Sequence, residues 1–139
     1  MLLKDIRPNY RQQNPESVEK LYHKDIGFPK NVNMPRGFNP VVKLRYGTHS
    51  RKEAMEDRYG QLTLPDTIDV RKGDIFEIGV TNGVVTKMAV RMPYDKQKDI
   101  VIVFLPADSF VKTVWANEVN DQHKSLNRAK YADPRREAA

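Results

Sequence analysis

Asn82 and Gly83 stand between two runs rich in β-branched residues, 75–81 and 84–92. A two-residue type I′ turn needs positive φ at both central positions, which this dipeptide adopts at little steric cost. The two runs are therefore expected to be the arms of an antiparallel hairpin. Two further turn signals follow, Pro93 to Lys98 and Pro106 to Asp108, with apolar runs at 99–105 and 110–116. The expectation is a four-stranded antiparallel meander over about 75–116. Residues 100–105 are apolar at every position, so that strand should lie centrally with both faces covered.

Upstream, residues 41–46 alternate apolar and basic, which predicts a strand with one wet face, ended by Gly47. Ser50 and Glu53 have capping-box spacing, predicting a helix from about 51 to 59 that stops at Gly60. Residues 1–40 hold five of the nine prolines, Pro8, Pro15, Pro29, Pro35 and Pro40, and keep no sustained period. They read as an extended arm, with one short helix at 16–23. Its apolar residues, Tyr22, Ile26 and Phe28 among them, suit packing on its own domain or docking on a partner. Leu126 and Ala129 have helix-like spacing, predicting a short C-terminal helix before a frayed tail at 134–139. The fold class is α+β: an arm at 1–40, one domain at 41–133, then the tail.

A chain of 139 residues that is 39% hydrophobic suits one modest core. It contains no cysteine, which excludes disulfides, thiolate metal sites and a thiol nucleophile. Charges at Lys4, Asp5 and Arg7 with no apolar run behind them are not the pattern of a secretory signal. The longest apolar stretch is six residues, Ile100 to Leu105, against about 20 for a membrane helix. The expectation is a soluble protein of the cytoplasm, with no membrane partner. Net charge is +6 and unevenly spread. Residues 1–40 hold seven basic and four acidic groups, 41–60 five and three, 61–116 seven and seven, and 117–139 five and four. The excess lies on the flanks of the expected sheet and favours RNA or another polyanion.

No phosphate-cradling Gly-rich loop, paired-His zinc motif or calcium loop occurs. Asp66 and Asp69 read as a solvated turn, so no metal or other cofactor is expected. Two basic groups remain. One is His49, Arg51 and Lys52 with Arg58; the other is His123, Lys124, Arg128 and Tyr131. Arg91 and Thr113 fall on expected strands where one sheet face can meet both groups. Metal-independent RNA cleavage needs a base for the 2′-hydroxyl, an acid for the leaving 5′-oxygen, and cations for the charge growing on phosphorus. Histidine fits the first two tasks because it titrates near neutrality, and Tyr and Arg supplement it. Trp115, in an alternating strand, reads as core.

The order Tyr46-Gly47-Thr48-His49, Asp57-Arg58-Tyr59-Gly60, then a meander ending Val111-Lys112-Thr113-Val114-Trp115, resembles the RelE-like branch of the barnase/RelE superfamily of small ribonucleases and toxins. The resemblance covers about residues 41–131. It implies a metal-independent endoribonuclease in which His49, Arg58, Arg91, His123 and Tyr131 carry the reaction, with Arg51, Lys52, Lys124 and Arg128 holding RNA. The 40-residue arm and the single helix before the sheet depart from those compact toxins. The segment from Trp115 through His123 to Arg128 also resembles small proteins of tailed bacteriophages. The competing expectation is therefore a non-catalytic bacteriophage protein, in the host cytoplasm or the virion, that docks on a larger assembly or a host enzyme through its arm. A sequence-tolerant DNA-binding module is the third reading.

Overall fold

The computed structural model of the protein describes residues 19–23 and 31–120. The expected tail, the C-terminal helix, and Ile26 and Phe28 lie outside them. The hairpin forms as its turn dipeptide requires: Asn82 has φ 56° and Gly83 φ 77°. It joins β5 (Asp74–Thr81) to β6 (Val84–Pro93), and β7 (Lys98–Leu105) and β8 (Phe110–Glu118) follow, each antiparallel to the one before.

The sheet is larger and more mixed than a four-stranded meander. Glu19–His23, expected as part of a short helix over 16–23, forms a strand instead, β1, because its backbone pairs antiparallel with the edge of β5. Val41–Lys43 and Arg45–Tyr46 are two strands, β2 and β3, split at Leu44. β3 runs parallel to β8, which gives a six-stranded order β1-β5-β6-β7-β8-β3, whereas β2 pairs with β4 (Thr67–Asp69) in a separate two-stranded sheet. The split follows from hydrogen bonding. Arg45 N donates to Ser109 O, at the head of β8, while Leu44 N donates to Asp66 O, next to β4. Adjacent residues are thus drawn toward different sheets. A 3₁₀ turn, Val70–Lys72, leads into β5, capped by the Asp69 carboxylate.

One face of the large sheet carries the main core. Ile78, Met88, Val90, Ile102, Phe104 and Val114 are fully or almost fully buried there. Val42, Leu44, Ala54, Leu62, Ile68 and Val70 pack on them from the small sheet, α1 and the loops. The assignment of residues 1–40 to an extended arm needs correction where they are described. Tyr22 is 3% exposed, Val32 4% and Met34 2%, all within this core. Tyr22 sits opposite Ile78 on the neighbouring strand, and burying that ring adds more than leaving it for a partner. The second face holds a smaller cluster of Phe76, Ala89, Val101 and Val103, with Trp115 packed half-buried against it. β7 is buried on both faces and lies inside the sheet, as its unbroken apolar run required.

The helix α1 spans Thr48–Met55, starting three residues and ending four residues earlier than the expected 51–59. No side chain caps it. The Ser50 hydroxyl bonds instead to Gly47 O at 3.3 Å, and Glu53 is drawn to the sheet. Eight residues are too few to be a stable helix alone, so α1 depends on docking.

Candidate nucleic-acid interface

His49 and Glu53, four apart, share one face of α1, and Asp57, four further on, follows just past its C-terminal cap. That stripe meets the outer edge of β8, where β3 pairs only with Phe110 and Val111. Beyond those two residues the backbone N–H groups of β8 would be open, and carboxylates of α1 and of the turn after it occupy them. Glu53 accepts from Thr113 Oγ1 at 2.7 Å and from Val114 N at 3.3 Å. Asp57 accepts from Ala116 N at 3.0 Å through one oxygen and from Tyr59 N at 3.0 Å through the other. Two side chains thus stand where a neighbouring strand would have supplied carbonyls, which also blunts the edge against pairing with another chain.

His49 Nε2 lies 3.4 Å from Glu53 Oε1, and its side chain is 75% exposed. Glu53 therefore connects His49 to Thr113. Arg51, Lys52 and Arg58 are exposed around the same helix, and Arg45 beside it. Several of these cations lie over half-buried rings. The Arg51 guanidinium is 5.9 Å from the Tyr46 ring centre, that of Arg45 5.9 Å from Phe110, and that of Arg58 4.7 Å from Tyr59. Lys98 Nζ approaches Tyr59 at 5.4 Å. Gly47 permits the packing at Phe110: a β-carbon there would stand 2.9 Å from the ring. The Tyr46 hydroxyl donates to Pro65 O at 2.6 Å, and burial, with the Asp66 charge adding to it, pushes the phenol up to about 12. Tyr46 is therefore neutral at physiological pH and offers a ring rather than a base.

Arg91 shares a sheet face with Thr113, since Val101 lies between Arg91 and Trp115 and Val103 between Ala89 and Thr113. Two strand spacings and one residue pair separate Arg91 from Thr113, about 12 Å between their α-carbons. Arg91 is held closely: Nε donates to Asp99 Oδ2 at 2.7 Å and Nη2 to Glu118 O at 2.7 Å. On the same face Lys87 Nζ lies 3.5 Å from Glu77. The structure thus gathers His49, Arg51, Lys52 and Arg58 around α1 and places Arg91 farther across the sheet. His123, Lys124, Arg128 and Tyr131 lie outside the described residues.

The sequence reading missed Glu53 and Asp57 as edge caps, and Arg45 and Lys98 as members of the basic surface. The four-residue spacing of His49, Glu53 and Asp57 was the available signal. Arg45 and Lys98 had none, because strand pairing brings Arg45 to Phe110 and Lys98 meets Tyr59 only where the chain after α1 folds against the sheet.

Among the described residues no three His, Asp or Glu side chains gather as a metal site, and no helix is long and apolar enough to cross a membrane. Asp69 is engaged by Arg71, which holds its carboxyl down to about 2 through a side-chain hydrogen bond. An open cleft of about 710 Å³ lies elsewhere, between the 63–69 segment and the β6–β7 turn, lined by Pro65, Ile68, Met92, Tyr94 and Ile100. No family model, curated protein or solved structure matches this chain.

Proposed function

We propose that the protein binds RNA on the basic, aromatic surface around α1 and cleaves it without a metal, in the manner of RelE-like ribonucleases. The observation that supports this most is the arrangement at Glu53. Its carboxylate is engaged by β8 and by His49, while Arg45, Arg51, Lys52 and Arg58 face solvent. A phosphate chain arriving there meets cations and an accessible imidazole, with two of the three helix-proximal acids turned toward the sheet.

In this reading the 2′-oxygen attacks phosphorus as a base removes its proton. The 5′-oxygen leaves on receiving a proton from an acid, giving a 2′,3′-cyclic phosphate and a 5′-hydroxyl. His49 is one proton-transfer group, and His123 or Tyr131 supplies the other. Arg91 is the cation for the phosphorane charge, after exchanging its Asp99 partner for phosphate, and Arg58 holds the RNA chain beyond the cut site. Lys124 and Arg128 extend the RNA contact.

Cleavage of RNA by the purified chain should persist in excess EDTA and vanish when the 2′-hydroxyl at the cut site is replaced by hydrogen. His49→Ala should slow it by about 10²–10⁴-fold and leave affinity, a sum over many phosphate contacts, nearly unchanged. Equal cutting by wild type and a His49→Ala/His123→Ala double variant would remove both histidines from the reaction. Absence of cutting on any RNA would favour the second reading, a non-catalytic bacteriophage protein docking on a larger assembly or host enzyme. The apolar cleft beside Met92 and Ile100 favours that alternative.

A further inference from the structure

We infer that the RNA is held as a single strand along the β8–α1 edge, between two cation–aromatic stations at opposite ends of β8; the inference rests on the RNA-binding reading above. The first station is Arg51 over Tyr46, with Arg45 over Phe110 on the opposite face of the same sheet edge. The second is the Tyr59 ring with Arg58 and Lys98. Register fixes where they lie. Arg45 is the pairing partner of Phe110, the first residue of β8, and Lys98 is the partner of Glu118, its last. Eight strand steps span about 26 Å, which several nucleotides of an extended strand bridge and a single phosphate does not.

Between the stations runs α1, tied to the strand at Thr113, Val114 and Ala116 by Glu53 and Asp57. Those three bonds fix the helix and the turn after it against the strand, and Lys52 and His49 are exposed along the interval. Glu56 and Glu118 are exposed acids near the second station, so a polyanion's path there is narrowed to Arg58 and Lys98.

The combination of rings and cations discriminates between nucleic-acid forms. A duplex presents phosphates outward and keeps its bases stacked on one another, so it gains from the cations but not from ring or guanidinium faces. An unpaired strand offers both, because free bases stack on aromatic rings and on arginine planes while phosphates meet the charges. Arg45, Arg51 and Arg58, each lying over a ring, provide such planes with little freedom to lose. His49, beside the first station, then faces the strand near one end of its path.

The test uses the full chain and a fluorescently labelled 2′-O-methyl RNA 12-mer, which cannot be cut at the 2′-oxygen, so binding is read apart from catalysis. Anisotropy titrations should show the single strand bound at least about tenfold more tightly than the same sequence as a duplex, and more tightly than a 3-mer too short for both stations. Arg45→Gln/Arg51→Gln and, separately, Arg58→Gln should weaken binding. Each lost phosphate contact should reduce the slope of log K against log salt by about 0.7. Arg71→Gln, away from the path, should match wild type. The replaced arginines of the path are exposed, and unchanged melting of the variants checks their folding. Equal binding of duplex and single strand, or station variants indistinguishable from wild type, overturns the path while RNA binding stands. Binding that follows the stations without any cleavage of natural RNA supports the path and removes the ribonuclease. No binding of any RNA overturns both.

Discussion

Tyr46 illustrates how one side chain can be both structural and part of a surface. Its ring lies under Arg51, and its hydroxyl fastens the 63–66 loop through Pro65 O. Because burial raises the phenol to about 12, the folded protein holds that proton more tightly than the unfolded chain, whose phenol titrates near 10. A raised folded-state value means the contribution is complete below about pH 10 and is lost as pH rises toward 12. Urea unfolding measured from pH 9 to 12 should therefore show stability falling across that window. Tyr46→Phe should flatten the fall, starting lower by about 1 kcal/mol for the lost hydrogen bond. An identical alkaline fall in both proteins would place the effect in other groups. Asp69 behaves oppositely: held near 2 by Arg71, its contribution is present above the ordinary carboxylate range and disappears only as pH drops through about 2.

At the level of elements, the hairpin and the capped edge make different demands. Gly83 at φ 77° sits where a β-carbon crowds the backbone. Gly83→Ala should cost about 1–2 kcal/mol in chemical denaturation, whereas the β5 and β6 arms keep their register. The edge of β8 is held by carboxylates rather than by a strand. Glu53→Ala leaves Val114 N and the Thr113 hydroxyl without that acceptor, at about 1–3 kcal/mol. Adding Asp57→Ala frees Ala116 N as well, and the exposed edge should then recruit another chain. Light scattering should find the double variant self-associating at concentrations where wild type does not. A monomeric double variant would mean that β8 is protected by something other than these two acids.

Across the whole molecule, the described parts of the N-terminal forty residues, 19–23 and 31–40, are integral to the fold rather than an appendage. Tyr22, Val32 and Met34 are each less than 5% exposed and belong to the main core. Burial of one such side chain is worth about 1.5–3 kcal/mol, so removing all three takes about 5–9 kcal/mol from a total that is usually about 5–15 kcal/mol. A chain lacking residues 1–40 should lose cooperative melting, or melt far below the full chain, in calorimetry. Unchanged melting would show that the sheet stands without β1 and the 31–40 segment.

The sequence by itself determined what local chemistry controls. Asn82-Gly83 admits one kind of turn, the unbroken apolar run of β7 demands cover on both faces, and the Val/Ile-rich runs between turn residues pair with their neighbours. Only the tertiary structure decided the rest, because it depends on partners distant along the chain. β1 and β5 are about fifty residues apart, the two halves of the 41–46 segment go to separate sheets, and Glu53 is claimed by β8 sixty positions away. Ser50 and Glu53 have capping-box spacing, yet an open strand edge with unpaired N–H groups is the stronger set of donors for that carboxylate. The basic residues around α1 were legible as charges. Their rings, and the alignment of Arg45 with Phe110 and Lys98 with Glu118, were not, since register is set by the pairing of whole strands and not by any residue in them.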